Sequence, residues 1–175
     1  MPYFFGLLAL LAGAYLWAGR ARNAGLIAQD LAGMAGDVVN AARAFGFRRR
    51  ANIHPVESLD DPVVAVAGLG VAFMEMGSLP SAEQHKALVE SLQIQLSQGQ
   101  KQAEEAVILG RWLMAECGSP QAGFDRLAKR LWKLDGVARF EPLMAVLKGV
   151  AANGPALSSR QSDALQDLSA IFRLR

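Results

Sequence analysis

Cysteine, histidine and aromatic side chains are all scarce in this chain. It has one cysteine, Cys117, two histidines, His54 and His85, and only 7% Phe, Trp and Tyr in 175 residues. A lone cysteine rules out an internal disulfide and suits a reducing compartment. With no cation or histidine beside it in the sequence, Cys117 reads as a buried, inert thiol. Neither histidine stands at zinc spacing from a second ligand, so no metal signature is present. No phosphate-cradling glycine loop occurs, and Gly68-Leu69-Gly70 falls inside an apolar run, where close helix packing explains it. Asp135 in "WKLDG" is a single carboxylate, and acid/base chemistry of the usual kind needs two groups. These gaps point away from an enzyme and imply neither a cofactor nor a catalytic or metal-ligating set.

Strand signals are missing as well. Runs rich in β-branched residues are few, whereas Ala, Leu and Gln fill long periodic stretches punctuated by Gly and Pro. An all-α chain is expected. The net charge of +2 conceals an asymmetry, because residues 1–50 carry six arginines against two aspartates and the rest is slightly acidic. A nucleic-acid binder needs a broad basic face, so that class of partner is not expected.

The run "PYFFGLLALLAGAYLWAG", Pro2–Gly19, contains no charge over 18 residues. That is near the lower length limit for crossing a hydrocarbon core. Tyr3, Phe4, Phe5, Leu7, Leu8, Leu11, Tyr15 and Trp17 supply its apolar and interfacial character, with aromatic rings near both ends. Nothing basic precedes it, so residues 1–19 are expected to be a retained transmembrane anchor rather than a cleaved signal or a core helix. Arg20 and Arg22 follow at once, and Arg43, Arg48, Arg49 and Arg50 lie further on. The excess of arginine leaves the N-terminus outside and the body in the cytoplasm of a bacterial inner membrane. The same arginines are candidates for contact with anionic lipid.

Residues 20–50 read as a basic amphipathic juxtamembrane helix. Ile27, Leu31, Met34, Val38, Ala41 and Phe45 alternate at spacings of four and three and form one seam. Gly33 and Gly36 each cost about 1 kcal/mol of helix propensity, so the seam needs a partner, whether lipid, a second copy or another protein. Residues 51–61 read as a polar, proline-bearing linker that ends in a helix start, Asp61 as cap and Pro62 at the first helical position.

Residues 62–175 read as a bundle of about six helices. "PVVAVAGLGVAFMEM" is apolar nearly all round and should be the buried centre. Ser81 with Gln84, Ser97 with Gln100, and Ser158 with Gln161 have the spacing of capping boxes. Two stretches match without gaps: "AFMEMGSLPSAEQHKAL" and "GVAANGPALSSRQSDAL". In each, Gly (Gly77, Gly154) is followed four residues on by Ser (Ser81, Ser158), then by Gln (Gln84, Gln161). A helix–elbow–helix duplication accounts for this economically.

The paired elbows and the intervening "FDRLAKRLWKL" and "RFEPLMAVLKGVAANG" resemble the TerB-like domain first associated with tellurite resistance. They also resemble the domain between the anchor and the J domain of DjlA-type co-chaperones. The resemblance spans about Asp60 to Arg175 and implies a helical fold with ion-binding elbows carrying four acids. Here those positions hold Met76, Asn153, Gln84 and Gln161. Hard divalent cations want several anionic oxygens, so the elbows are expected to be structural joints. His54-Pro55-Val56 has valine where a J-domain triplet has aspartate, so co-chaperone activity is not implied. The expectation is a non-enzymatic adaptor or accessory protein that binds a membrane-associated complex. A tellurite or metal-stress protein and a self-associating, homo-oligomeric scaffold are the alternatives.

Overall fold

The computed structural model describes residues 35–173. The expected anchor, with Tyr3, Phe4, Phe5, Leu7, Leu8, Leu11, Tyr15 and Trp17, lies outside the described residues. So do Arg20, Arg22 and the first half of the seam, Ile27, Leu31 and Met34. Among the described residues no helix is long and apolar enough to cross a membrane. Contacts divide the chain between Asp37 and Val38, and the helical bundle belongs to the larger unit, Val38–Arg175.

The described chain is all-helical. After α1 (residues 35–44) come α2 (Pro62–Gly77), α3 (Ala82–Leu96), α4 (Gln100–Ala115), α5 (Pro120–Asp135), α6 (Phe140–Ala152) and α7 (Ser159–Arg173), with 3-10 turns at Pro55–Ser58 and Gly136–Arg139. α2 touches each of α3 to α7 and forms the axis of the bundle. Its composition dictates this place. Every residue from Val63 to Met74 is buried, and a helix with no polar face can only be stable when surrounded. Asp61 and Pro62 start it as the sequence indicates, the Asp61 carboxylate accepting the Val63 N–H at 2.7 Å.

Surrounding one helix with several others requires close backbone approach, and glycine provides it. Gly68 of α2 and Gly110 of α4 meet face to face. A Cβ on Gly110 would lie 2.8 Å from Gly68 Cα and 3.1 Å from the Ala67 carbonyl carbon. Phe73 and Phe124 are the largest fully buried side chains, and Leu69, Leu88, Leu92, Leu109, Leu113, Leu127 and Leu131 fill the layers between.

Local signals fix most of the helix starts. Ser119 accepts from the Ala122 N–H at 3.2 Å, and Ser81 and Ser158 head full boxes with Gln84 and Gln161. The third expected box, Ser97 with Gln100, is not formed. Ser97 instead takes a left-handed conformation at the end of α3, φ 54°. Gly99 then leads α4, with Gln102 Oε1 accepting the Gly99 N–H at 3.4 Å. A serine spent on turning the chain out of one helix cannot also cap the next.

The 51–61 segment packs on the body more than its polarity suggests. Its 3-10 turn buries Val56 and Leu59 completely or nearly so. The His54 ring bridges this turn to the end of α4, Nδ1 accepting from the Val56 N–H at 3.3 Å and Nε2 lying 3.2 Å from the Glu116 carbonyl oxygen. Arg130 of α5 secures the other end, donating from Nε to the Leu59 carbonyl at 2.6 Å and from Nη2 to Asp60 at 3.0 Å.

Because the Gly68–Gly110 contact joins backbone to backbone, no side-chain rotation relieves an added methyl. Gly110→Ala is expected to destabilise the protein by about 1–3 kcal/mol, measured by denaturant unfolding of the full chain in detergent. A control, Gly118→Ala, tests a different cause. Gly118 has φ +80° and open space around it, so its cost of about 1 kcal/mol arises from left-handed backbone alone.

Candidate functional site

The two elbows lie against each other. Each Gln that completes a capping box reaches across to the other elbow, where it meets the glycine. Gln161 lies against Gly77, and a Cβ there would come within 2.7–2.9 Å of its side-chain amide. Gln84 lies in the same way against Gly154, where a Cβ would collide with its amide. Neither glycine has left-handed backbone. These glycines therefore do not serve a positive-φ turn; their use is to leave room for a glutamine.

That glutamine has three jobs in the second elbow. Its Oε1 accepts the Ser158 N–H at 3.0 Å, and its backbone N–H donates to Ser158 Oγ at 3.2 Å. Its Nε2 donates to the Phe73 carbonyl of α2 at 2.8 Å, a bond between residues 88 apart in sequence. Ser158 Oγ donates to the Met76 carbonyl at 3.1 Å. The start of α7 thus meets the end of α2, which carries partial negative charge, and satisfies at Met76 one of the last four carbonyls that a helix leaves unpaired. Gln84 and Gln161 are 4% and 5% exposed, so these bonds form away from water and their loss is costly.

The chemistry of the site follows from the amide. A glutamine presents both an acceptor and a donor, and here one atom of each kind is in use. A glutamate in its place would present only acceptors toward Phe73 and would need a proton or a cation between them. Met76, at the first expected acid position, is buried in the core, whereas Asn153, at the second, is exposed and donates to the Gly149 carbonyl at 2.9 Å. Among the described residues, no three His, Cys, Asp or Glu side chains converge in a way that could hold a metal ion.

Other candidate residues fall elsewhere. Val38, Ala42 and Phe45 pack against the bundle core, and Ala41 is fully buried. The second half of the seam therefore has the chain's own body as a partner. Phe47 meets Trp112 edge-on, with ring centroids 5.8 Å apart. Arg43 and Arg48 are exposed. Arg49 lies 3.8 Å from Glu116 and Arg50 3.5 Å from Asp60, both pairs well exposed, so two of the three consecutive arginines already face carboxylates. Cys117 is half-buried and bonds to the Leu113 carbonyl at 3.4 Å. Burial pushes its thiol up, away from the reactive thiolate. Burial, reinforced by Arg111, holds the His85 ring below its ordinary value and favours the neutral form.

One surface feature is not apparent from the sequence. A groove of about 600 Å³ runs along α5, bounded by the 3-10 turn and α7. A signal exists, since Arg126, Lys129, Arg130 and Lys133 follow helical spacing around Trp132, but only the fold shows which of them face the groove.

No known protein family, curated protein or solved structure matches this chain.

Gln161→Glu tests the role of the amide. The substitution is expected to cost about 2–3 kcal/mol at neutral pH, the loss typical of a buried group left without its partner. Facing a carbonyl, the introduced carboxyl has its folded-state pKa raised. The stability it retains is therefore present at low pH and is lost as pH rises through that value. Unfolding measured across pH should show the deficit shrinking in acid, and a deficit independent of pH would contradict the assigned geometry.

Proposed function

We propose that this protein is a membrane-anchored, non-enzymatic adaptor or accessory subunit whose helical body faces the cytoplasm of a bacterial inner membrane. The observation that carries this reading is the uncharged Pro2–Gly19 run followed directly by Arg20 and Arg22. Tethering raises the effective concentration of the body near other membrane proteins, so modest contacts can suffice. The body suits the role. Its buried polar side chains are bonded into the elbows and the 51–61 segment, and its surface offers grooves to a partner.

On this reading residues 60–175 are a TerB-like domain in which the ion elbows have become amide-linked joints. The adaptor reading is preferred to the tellurite or metal-stress alternative because Gln84 and Gln161 are neutral and already engaged. It is preferred to the self-associating scaffold because Val38, Ala41 and Phe45 pack on their own body.

Alkaline carbonate washing of membranes should leave the full chain in the pellet, and protease added outside sealed cells should spare the body. Purification in mild detergent should then retain a stoichiometric membrane protein. Release by carbonate, or digestion of the body from outside, removes the anchor and topology, and a chain that comes through alone removes the adaptor role. If deletion changes tellurite sensitivity, the stress alternative gains.

A further inference from the structure

Resting on the adaptor reading, we infer that the α5 groove is the docking site for an acidic amphipathic helix of the partner. Half-buried Trp132 and Ile171 give the groove an apolar floor, both resting on the core. Five charges line its walls, and they are not equivalent. The Glu57 carboxylate lies 3.9 Å from Lys133 Nζ, and Asp125 accepts from the Gln121 side chain at 3.3 Å. Arg126 and Lys129 are exposed and have no carboxylate within ion-pair distance among the described residues. The groove thus holds three cations against two carboxylates, and of the cations only Lys133 faces an acid, so Arg126 and Lys129 remain to be answered.

The spacing of those cations defines the occupant. Arg126 and Lys129 are three residues apart on α5, a rise of about 4.5 Å. A second helix laid along the groove can match them with Asp or Glu one turn apart, while a Leu, Phe or Met between covers the indole of Trp132. Helix-in-groove recognition combines an apolar stripe with flanking charge in this way. Charge complementarity would speed encounter and exclude basic partners more than it would deepen affinity. An anionic bilayer fits less well, since the groove is concave and a flat surface would not reach its apolar floor. The second groove, between α3 and α4, is lined by Lys86 with Glu90 and Glu104 around Val89 and Ile108. Lys86 there already pairs with Glu90 at 3.6 Å, so it defines no charge for a partner.

The test uses the full chain in neutral detergent micelles and a random-peptide library displayed on phage. Peptides that pair Asp or Glu with large apolar residues at helical spacing should be enriched, and their binding should perturb the Trp132 indole. The double charge reversal Arg126→Glu with Lys129→Glu alters exposed side chains and should leave the melting temperature unchanged. It should weaken the selected peptides at least about tenfold, an effect that added salt also produces. Exchanging acids for lysines in the peptide should restore binding to the reversed protein. Selected peptides without acidic enrichment, affinity indifferent to the reversal, or competition by phosphatidylglycerol micelles would each overturn the assignment. Partner retention distinguishes failure of the groove from failure of the adaptor role. A reversed protein that still holds the membrane partner of the unaltered chain defeats the groove alone, whereas an unaltered chain that holds none defeats the adaptor reading.

Discussion

One bond ties the two elbows together: Gln161, which caps its own helix, also reaches the end of another. Gln161 and Ser158 tie the start of α7 to the Phe73 and Met76 carbonyls near the end of α2, and Gln84 occupies the matching place against Gly154. α2 has no polar face, so its last turn must find donors from within the protein. Those donors come from residues more than eighty positions away, which makes the elbow a tertiary element and not a local turn. The start of one helix, with its partial positive charge, is set against the negative end of another. A neutral side chain that both donates and accepts completes the arrangement. A carboxylate at the same place would need something positive beside it.

Much of the fold is legible from local chemistry. Asp61-Pro62 announces the start of α2, Ser81 and Ser158 announce α3 and α7, and the apolar run between Pro62 and Met76 announces a buried axis. These features are readable because cap and period lie within a few residues of each other. The failures come where two local uses compete for one residue. Ser97 fits a capping box by spacing, but the chain needs a left-handed residue there to reverse direction between α3 and α4. The polarity of the 51–61 segment hides Val56 and Leu59, which are enough to hold it against the body when Arg130 and His54 secure its ends.

The candidate site is legible in outline and not in mechanism. Repetition of Gly, Ser and Gln at fixed spacing locates both elbows, and the missing acids speak for joints. Why glycine is needed cannot be read, because the reason is the approach of a side chain from the other copy of the elbow. The groove along α5 shows the same limit. Helical spacing places four cations on α5, but Arg130 turns to Asp60 and Lys133 to Glu57, leaving Arg126 and Lys129 as the uncommitted pair. Which charges remain available is a property of the packed molecule.

The elbows meet through glutamine amides and the Ser158 hydroxyl, and these neutral groups lack the anionic oxygens that a hard divalent cation wants. Calorimetric unfolding of the full chain in detergent, with chelator and then with millimolar Ca²⁺ or Mg²⁺, measures this directly. The same midpoint in all three conditions is the predicted result. A divalent cation that bound the folded elbows at one hundred times its Kd would add about 2.7 kcal/mol of stability, so a midpoint raised by several degrees would contradict the account.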